Sequence, residues 1–217
     1  MAKSSKAWMR EHVTDAYVRK ANAEGLRSRA AYKLQQIDAR DRLLRPGMIV
    51  VDLGAAPGGW SQVAAKAVGR TGRVIAVDLL DVQQVPGVTF IRGDVSDEAT
   101  LAELDQALGG SAVDLVLSDM APNISGIATV DQARAIALAE VAAEFAVKQL
   151  KPQGNFLVKT FHGAGFDGLV DFLRRSFLNV YTRKPDASRS RSSEVYLLGK
   201  GVRQEGRKSR SAATGMV

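Results

Sequence analysis

Apolar residues recur along this chain with two different periods, and the period switches from block to block. Residues 8–44 read as helical, with basic side chains interleaved. Ala31, Leu34, Ile37 and Asp38 fall within one helix of that block, Ser28 is placed to cap it, and Lys33 lies near its start. Arg45, Pro46 and Gly47 then break the pattern. From Met48 onward, strand-like and helix-like stretches alternate: strand 48–53, helix 60–68, strand 73–79, a turn at Pro86 and Gly87, strand 88–92, helix 97–108, strand 113–118, helix 130–149, strand 155–160 and helix 166–176. Such alternation implies right-handed crossovers and a mostly parallel sheet covered on both faces. The end of the chain differs, because 179–184 and 195–200 are both strand-like with no helix between them and predict an antiparallel hairpin. The expected fold is therefore α/β, a mostly parallel seven-stranded sheet closed by that hairpin.

Ligands of open parallel sheets sit beyond the C-terminal ends of the strands, so the strand ends are where chemistry is sought. The first strand runs into VVDLGAAPGGWS, residues 50–61, which reads as a strand, a tight turn and a helix N-terminus. Gly54, Gly58 and Gly59 allow positive φ and close backbone approach, Pro57 stiffens the turn, and Asp52 can accept hydrogen bonds from a ligand. The glycines fall as G-x-x-x-G-G rather than the G-x-G-x-x-G of dinucleotide sites, which argues against a nicotinamide oxidoreductase. The second, third, fourth and fifth strands end at Asp78, Asp94, Asp119 and Lys159, so each strand brings an ionisable group to one edge. Any single aspartate there is as well explained by capping the turn that follows; the joint pattern is not. Asp78 is placed for ribose hydroxyls and Asp94 for an adenine amine.

Lys159 stands among apolar neighbours, Phe156 to Val158 and then Thr160 and Phe161. Partial desolvation there makes its proton easier to release and fits it for a general base. Asp119 is on the neighbouring strand end, Glu194 opens the last strand and Lys33 comes from the N-terminal helix. Together they would form a charge-balanced cluster with negotiable protons.

Composition narrows the chemistry. With 46% hydrophobic and 24% charged residues, 217 residues suit one soluble domain, and no apolar run approaches the ~18 residues of a membrane span. The N-terminus lacks the apolar core of a signal peptide, so a cytoplasmic protein is expected. The absence of cysteine excludes disulfides, thiolate metal sites and thiol nucleophiles, including the one used to methylate a pyrimidine carbon. Two histidines leave little room for a His-rich metal site. Charge is uneven: residues 1–45, 46–173 and 174–217 carry +6, −7 and +8. Basic flanks on an acidic body suggest a polyanion, most simply nucleic acid, although a stretch such as 204–217, with no apolar period, is also what a disordered tail looks like.

DLGAAPGGWSQ together with Lys33 in SRAAYKLQQID, Asp119 in LSDMAPNISG, Lys159 in FLVKTF and Glu194 in SRSSEVYLLG resembles the cofactor motif and Lys-Asp-Lys-Glu tetrad of the FtsJ-like ribose 2′-O-methyltransferases. The likeness covers about residues 30–199 and includes the RKPDASRSRSSEVY approach to the last strand. It implies a class I methyltransferase (Rossmann-like) fold, S-adenosyl-L-methionine as cofactor, and in-line methyl transfer to a ribose 2′-hydroxyl. The target it implies is a uridine of 23S ribosomal RNA in the large ribosomal subunit. It also implies Lys159 as base, Asp119 and Glu194 as orienting groups and Lys33 as a positioning or charge-balancing group. Cofactor-holding positions would be Asp52, Gly54, Gly58, Gly59, Trp60, Asp78, Asp94 and Asp119. No metal is required, because the methyl donor is already activated and alignment is the main task. One departure is His162, where family members often carry glutamine; it reads as a loop residue near the site.

RNA contact would fall to Arg10, Arg19, Lys20, Arg27, Arg29, Arg183, Lys184, Arg189 and Arg191, which can hold phosphates but do not read sequence. Trp8 and Tyr17 read as packing residues rather than base-stacking ones. The expected organisation is a basic helical extension (1–45), the methyltransferase domain (46–203) and a basic, disordered tail (204–217), acting as a monomer. Transfer RNA is the near alternative substrate, and a non-catalytic ribosome-assembly protein the alternative of another class; an intact tetrad argues against the latter. Asp119-Met-Ala-Pro in place of N/D-P-P-Y/F argues against an exocyclic amine as acceptor.

Overall fold

The computed structural model describes residues 16–189 and 192–203. Its elements are α1 (Ala16–Ala23), α2 (Ala30–Asp41), β1 (Ile49–Leu53), α3 (Gly59–Val68), β2 (Arg73–Asp78), β3 (Val88–Arg92), α4 (Glu98–Leu108), β4 (Val113–Ser118), α5 (Ala128–Gln149), β5 (Leu150–Phe161), α6 (Phe166–Ser176), β6 (Phe177–Arg183) and β7 (Glu194–Val202). The seven strands form one sheet in the order β3-β2-β1-β4-β5-β7-β6. The pairs from β3 to β5 are parallel, and β7 runs antiparallel to both β5 and β6. The terminal hairpin therefore folds back with its second strand inside and its first at the edge.

Strand side chains alternate between faces, and the core divides accordingly. Val51, Leu53, Val116, Phe156, Val158 and Leu197 pack with α4, α5 and α6. Val50, Leu115, Leu117, Leu157, Tyr196 and Leu198 pack with α2 and α3. Leu34 and Ile37 of α2 are as buried as the strand residues beneath them, so the basic N-terminal block shares the core of the sheet. Truncating either to alanine should cost about 2–5 kcal/mol, as at other buried aliphatic sites.

Local details depart from expectation at three places. Ser28 does not cap α2: Arg29 occupies the cap position, and the buried Ser28 hydroxyl, pressed toward Gly59, has no hydrogen-bond partner among the described residues. β5 begins at Leu150, because α5 passes directly into extended backbone without a loop. α5 starts at Ala128, where Asp131 accepts from the backbone N–H groups of Ser125 and Gly126 and organises the preceding turn. Among the described residues no helix is long and apolar enough to cross a membrane.

Candidate active site

The face of the sheet that packs on α2 and α3 also carries the charged cluster, and strand periodicity explains why. Lys159 lies two residues beyond Leu157, Asp119 two beyond Leu117 and Glu194 two before Tyr196, so all three continue one apolar face past the end of the core. Register then aligns them: Lys159 is directly opposite Tyr196, and Ser118 opposite Val158, which brings Asp119 beside Lys159. α2 supplies Lys33 from above.

The four predicted residues meet as two ion pairs joined through a hydroxyl. Lys159 Nζ lies 3.1 Å from Asp119 Oδ1 and donates to the Asp119 carbonyl oxygen at 2.5 Å. Lys33 Nζ donates to Glu194 Oε1 at 2.6 Å. The Tyr196 hydroxyl stands between the pairs, 3.1 Å from Asp119 Oδ1 and 3.3 Å from Glu194 Oε1. Side-chain exposure is 8% for Lys159 and 12% for both Lys33 and Glu194, so these charges act in a poorly screened environment. Burial works against ionisation of Glu194, but Lys33, the Ser188 hydroxyl at 2.9 Å and the charge of Lys159 outweigh it and hold the carboxyl below its ordinary range. Burial and the two carboxylates push the Tyr196 hydroxyl well above its ordinary value, so it remains a proton donor. Tyr196 escaped the sequence reading because a tyrosine in a strand looks like core. The available signal was parity, since it shares a face with Glu194.

Asp119 also lines a cavity of about 670 Å³ at the strand ends, within the range of small-molecule sites. Gly54, Ala56, Asp78, Leu79, Asp94 and Met120 contribute to its wall. Gly54 has φ +77°, and a Cβ there would come within 2.5 Å of Met120, so the turn requires glycine. Asp78 accepts from the backbone N–H of Ala56 and of Leu80, both at 2.8 Å, and so pins the loops on either side. Asp94 accepts from the Ser96 N–H and hydroxyl, which lower its pKa. Three carboxylates, with Arg134 the cation among the lining residues, suit a ligand bearing positive charge and hydroxyls. A second depression, lined by Asp38, Arg42 and Arg45 among others, lies at the C-terminal end of α2.

Four of the expected cofactor positions lie off this wall. Asp52 is not among the residues lining the cavity: it is fully buried, accepts from the Ser61 hydroxyl at 2.5 Å, and its other oxygen has no partner among the described residues. Burial drives its pKa up to about 7, against the hydrogen bond from Ser61 and with the charges of Asp119 and Asp78. Trp60 is buried, donates to the Ala30 carbonyl at 2.7 Å and packs against Tyr196. Gly58 faces Arg27, Val82 and Val85, and Gly59 faces Ser28. Gly59 and Trp60 open α3 directly after the turn, with Gly58 at its cap.

The expected RNA contacts differ in how they are engaged. Arg19 and Lys20 are exposed on α1, with Lys20 3.8 Å from Glu24 and 5.0 Å above the Tyr32 ring. Arg183 is not free for a phosphate, because its guanidinium is committed to both oxygens of Asp41 at 2.6 and 2.8 Å. Lys184 donates to the carbonyls of Ser192 and Glu194, and Arg29 to that of Ala187; Arg189 is half-buried. Arg27 donates to three carbonyls in two loops. His162 is exposed beyond β5, its ring 4.6 Å from that of Phe166, and Tyr17 packs on Tyr32. Arg10, Arg191 and Trp8 lie outside the described residues.

Comparison with known proteins gives a consistent picture. The model of the FtsJ-like methyltransferase family matches residues 26–202. Ribosomal RNA large subunit methyltransferase E of Azoarcus sp. (strain BH72) is 63% identical over 201 residues, which is 93% of this chain and 98% of that one. The protein of the same name from Methylobacillus flagellatus is 59% identical, covering 90% of this chain and 95% of its own. A solved structure described as a ribosomal RNA methyltransferase from Plasmodium falciparum superposes with a TM-score of 0.72 at 28% identity, covering 81% of this chain and 98% of the other.

Proposed function

Because the chain belongs to the FtsJ-like methyltransferase family, we propose that it transfers the methyl group of S-adenosyl-L-methionine to a ribose 2′-hydroxyl of 23S ribosomal RNA, at a uridine, with Lys159 as general base. The observation that carries this is the position of Asp119, which lines the cavity and at the same time holds Lys159. One residue thus joins a small-molecule pocket to a buried amine.

The residues present suit the cofactor. Asp78 and Asp94 offer carboxylate acceptors for hydroxyl and amine groups, Leu79 and Leu80 offer apolar contact, and the Gly54 turn allows close approach. When bound, this cofactor supplies an electrophilic methyl on a sulfonium, which is why metal and acyl chemistry are unnecessary. Every other task falls to the protein. An ammonium has three donors, and two of those on Lys159 point at Asp119. The remaining position serves the incoming hydroxyl, whose proton Lys159 in its neutral form accepts as the oxygen attacks. Asp119 fixes the amine and stabilises the lysinium produced, as an orienting carboxylate does for a protonated base. Glu194 fixes Lys33, whose charge balances the second carboxylate and steers the ribose. Tyr196 keeps the two pairs at a set separation.

The proposal has the enzyme working as a cytoplasmic monomer on RNA within the large subunit. In it, residues 46–203 form the cofactor-dependent domain, with α2 of the basic 1–45 block packed into its core, and 204–217 form the second basic flank. The test is transfer of labelled methyl to ribosomal subunits and to transfer RNA, both from cells lacking the enzyme. Alkali-resistant dinucleotides in 23S RNA are expected. Label confined to transfer RNA would move the substrate, and no label despite cofactor binding would leave an assembly protein.

A further inference from the structure

The segment that precedes α2 is fastened across the cofactor turn by one side chain. Arg27 Nη1 donates to the Gln83 carbonyl at 2.5 Å and the Pro57 carbonyl at 3.3 Å, and Nη2 donates to the Gln84 carbonyl at 2.6 Å. Pro57 belongs to the turn after β1, whereas Gln83 and Gln84 belong to the loop between β2 and β3. The same two loops wall the cavity, through Gly54 and Ala56 on one and Leu79 and Leu80 on the other. Gly58 marks where the three segments meet. A Cβ there would lie 3.1 Å from Arg27 Cδ, 3.1 Å from Val85 and 3.2 Å from Val82.

Gln62 of α3 completes the fastening. Its amide oxygen accepts from the Arg27 backbone N–H at 3.2 Å, and its amide nitrogen donates to the Gly25 carbonyl at 2.9 Å. The Trp60 indole reaches the Ala30 carbonyl at the start of α2, the helix that bears Lys33. The N-terminal segment, the cofactor turn and the β2–β3 loop are thereby one hydrogen-bonded unit.

We propose that Arg27 is a positioning residue that latches the two cofactor loops to the N-terminal segment, so that it governs affinity for the cofactor rather than for RNA. The inference rests on the S-adenosyl-L-methionine reading above. Two guanidinium nitrogens hold three carbonyls on the two loops; an ammonium on a shorter reach offers one nitrogen in their place and does not reproduce that fork. This separates the latch from a phosphate contact, which needs positive charge but not the fork.

The experiment measures S-adenosyl-L-methionine binding by calorimetry, and binding of a 23S RNA fragment across a salt series, for the wild type, Arg27→Lys, Arg27→Gln and Gln62→Ala. The latch predicts that Arg27→Lys and Arg27→Gln both weaken cofactor binding by about tenfold or more, as loss of charge-assisted hydrogen bonds does. Gln62→Ala weakens it in the same direction. The slope of log affinity for RNA against log salt stays that of the wild type. The inference is overturned if Arg27→Lys binds cofactor like the wild type, or if Arg27→Gln lowers the RNA salt slope by about one, the signature of a lost phosphate contact. Should Arg27→Gln fail to fold, Arg27→Lys and Gln62→Ala still decide it. A wild-type protein that binds no cofactor would instead remove the functional reading, whatever the variants do.

Discussion

At the scale of single residues, the hydroxyl of Tyr196 has the most to do with the least freedom. It has one proton and two carboxylate neighbours, Asp119 and Glu194, so it donates to one while holding the other at hydrogen-bond distance. Tyr196→Phe keeps the ring packed on Trp60 and removes that bridge. It should leave the fold intact and lower the methyl-transfer rate by about tenfold, the scale expected when a buried acceptor loses its donor. A rate equal to the wild type would show that the two ion pairs do not need the bridge. Asp52 makes the opposite demand on pH from Glu194. Its folded pKa, about 7, is above its ordinary value of 3.8, so between those values the folded state holds a proton that the unfolded state has lost. Stability therefore falls as pH rises across that window. Glu194, with its lowered pKa, contributes stability that is present above its ordinary value and lost in acid. The wild type should therefore lose melting temperature between about pH 4 and 7, and Asp52→Asn, which stays neutral, should flatten that decline. An unchanged slope would mean that Asp52 ionises freely in the fold. The strand-end aspartates were legible because each closes a clear apolar run; that Asp52 turns inward was not, because its partner Ser61 lies on the facing helix and no periodicity records that meeting.

At the scale of elements, the edge of the sheet is secured by charge as well as by packing. Asp41 at the end of α2 accepts from Arg183 of β6 and from Lys200 of β7, and is itself 6% exposed. The two cations lower its pKa, Arg183 most of all, against the effect of burial. Removing Asp41 leaves two neighbouring cations without their counter-charge, so Asp41→Ala should cost about 3–5 kcal/mol. Denaturant unfolding with an unchanged m-value is the check; a cost below about 1 kcal/mol, the scale of an exposed pair, would contradict it. Element types were largely readable, since the switch between periods 3.6 and 2 is strong from Met48 on. Strand order at the edge was not. Two strand-like runs without a helix predict a hairpin, but which of the two lies inside depends on how β7 meets β5, a contact between residues such as Lys159 and Tyr196 that are far apart in sequence. The partners of Arg183 and Lys184 were hidden for the same reason: in sequence, clustered basic residues look like a phosphate grip, and neither the Asp41 carboxylate beside Arg183 nor the carbonyls beside Lys184 can be read there.

At the scale of the whole molecule, the sheet places a small-molecule cavity and a buried lysine pair at one edge, with Asp119 common to both. The basic N-terminal block does not stand apart from this arrangement. α2 shares the core with α3, carries Lys33 into the cluster and is latched to the cofactor turn through the segment before it. Exposed positive charge on α1, at Arg19 and Lys20, lies on the same N-terminal block as Lys33. The central claim is that Lys159 takes the proton from the ribose hydroxyl. The most direct measurement is single-turnover methyl transfer to large ribosomal subunits lacking the modification, comparing Lys159→Ala with the wild type at saturating cofactor. The account predicts a rate lower by at least about 10²-fold, the contribution of a positioned general base, with cofactor binding retained. Transfer by Lys159→Ala at the wild-type rate would contradict it.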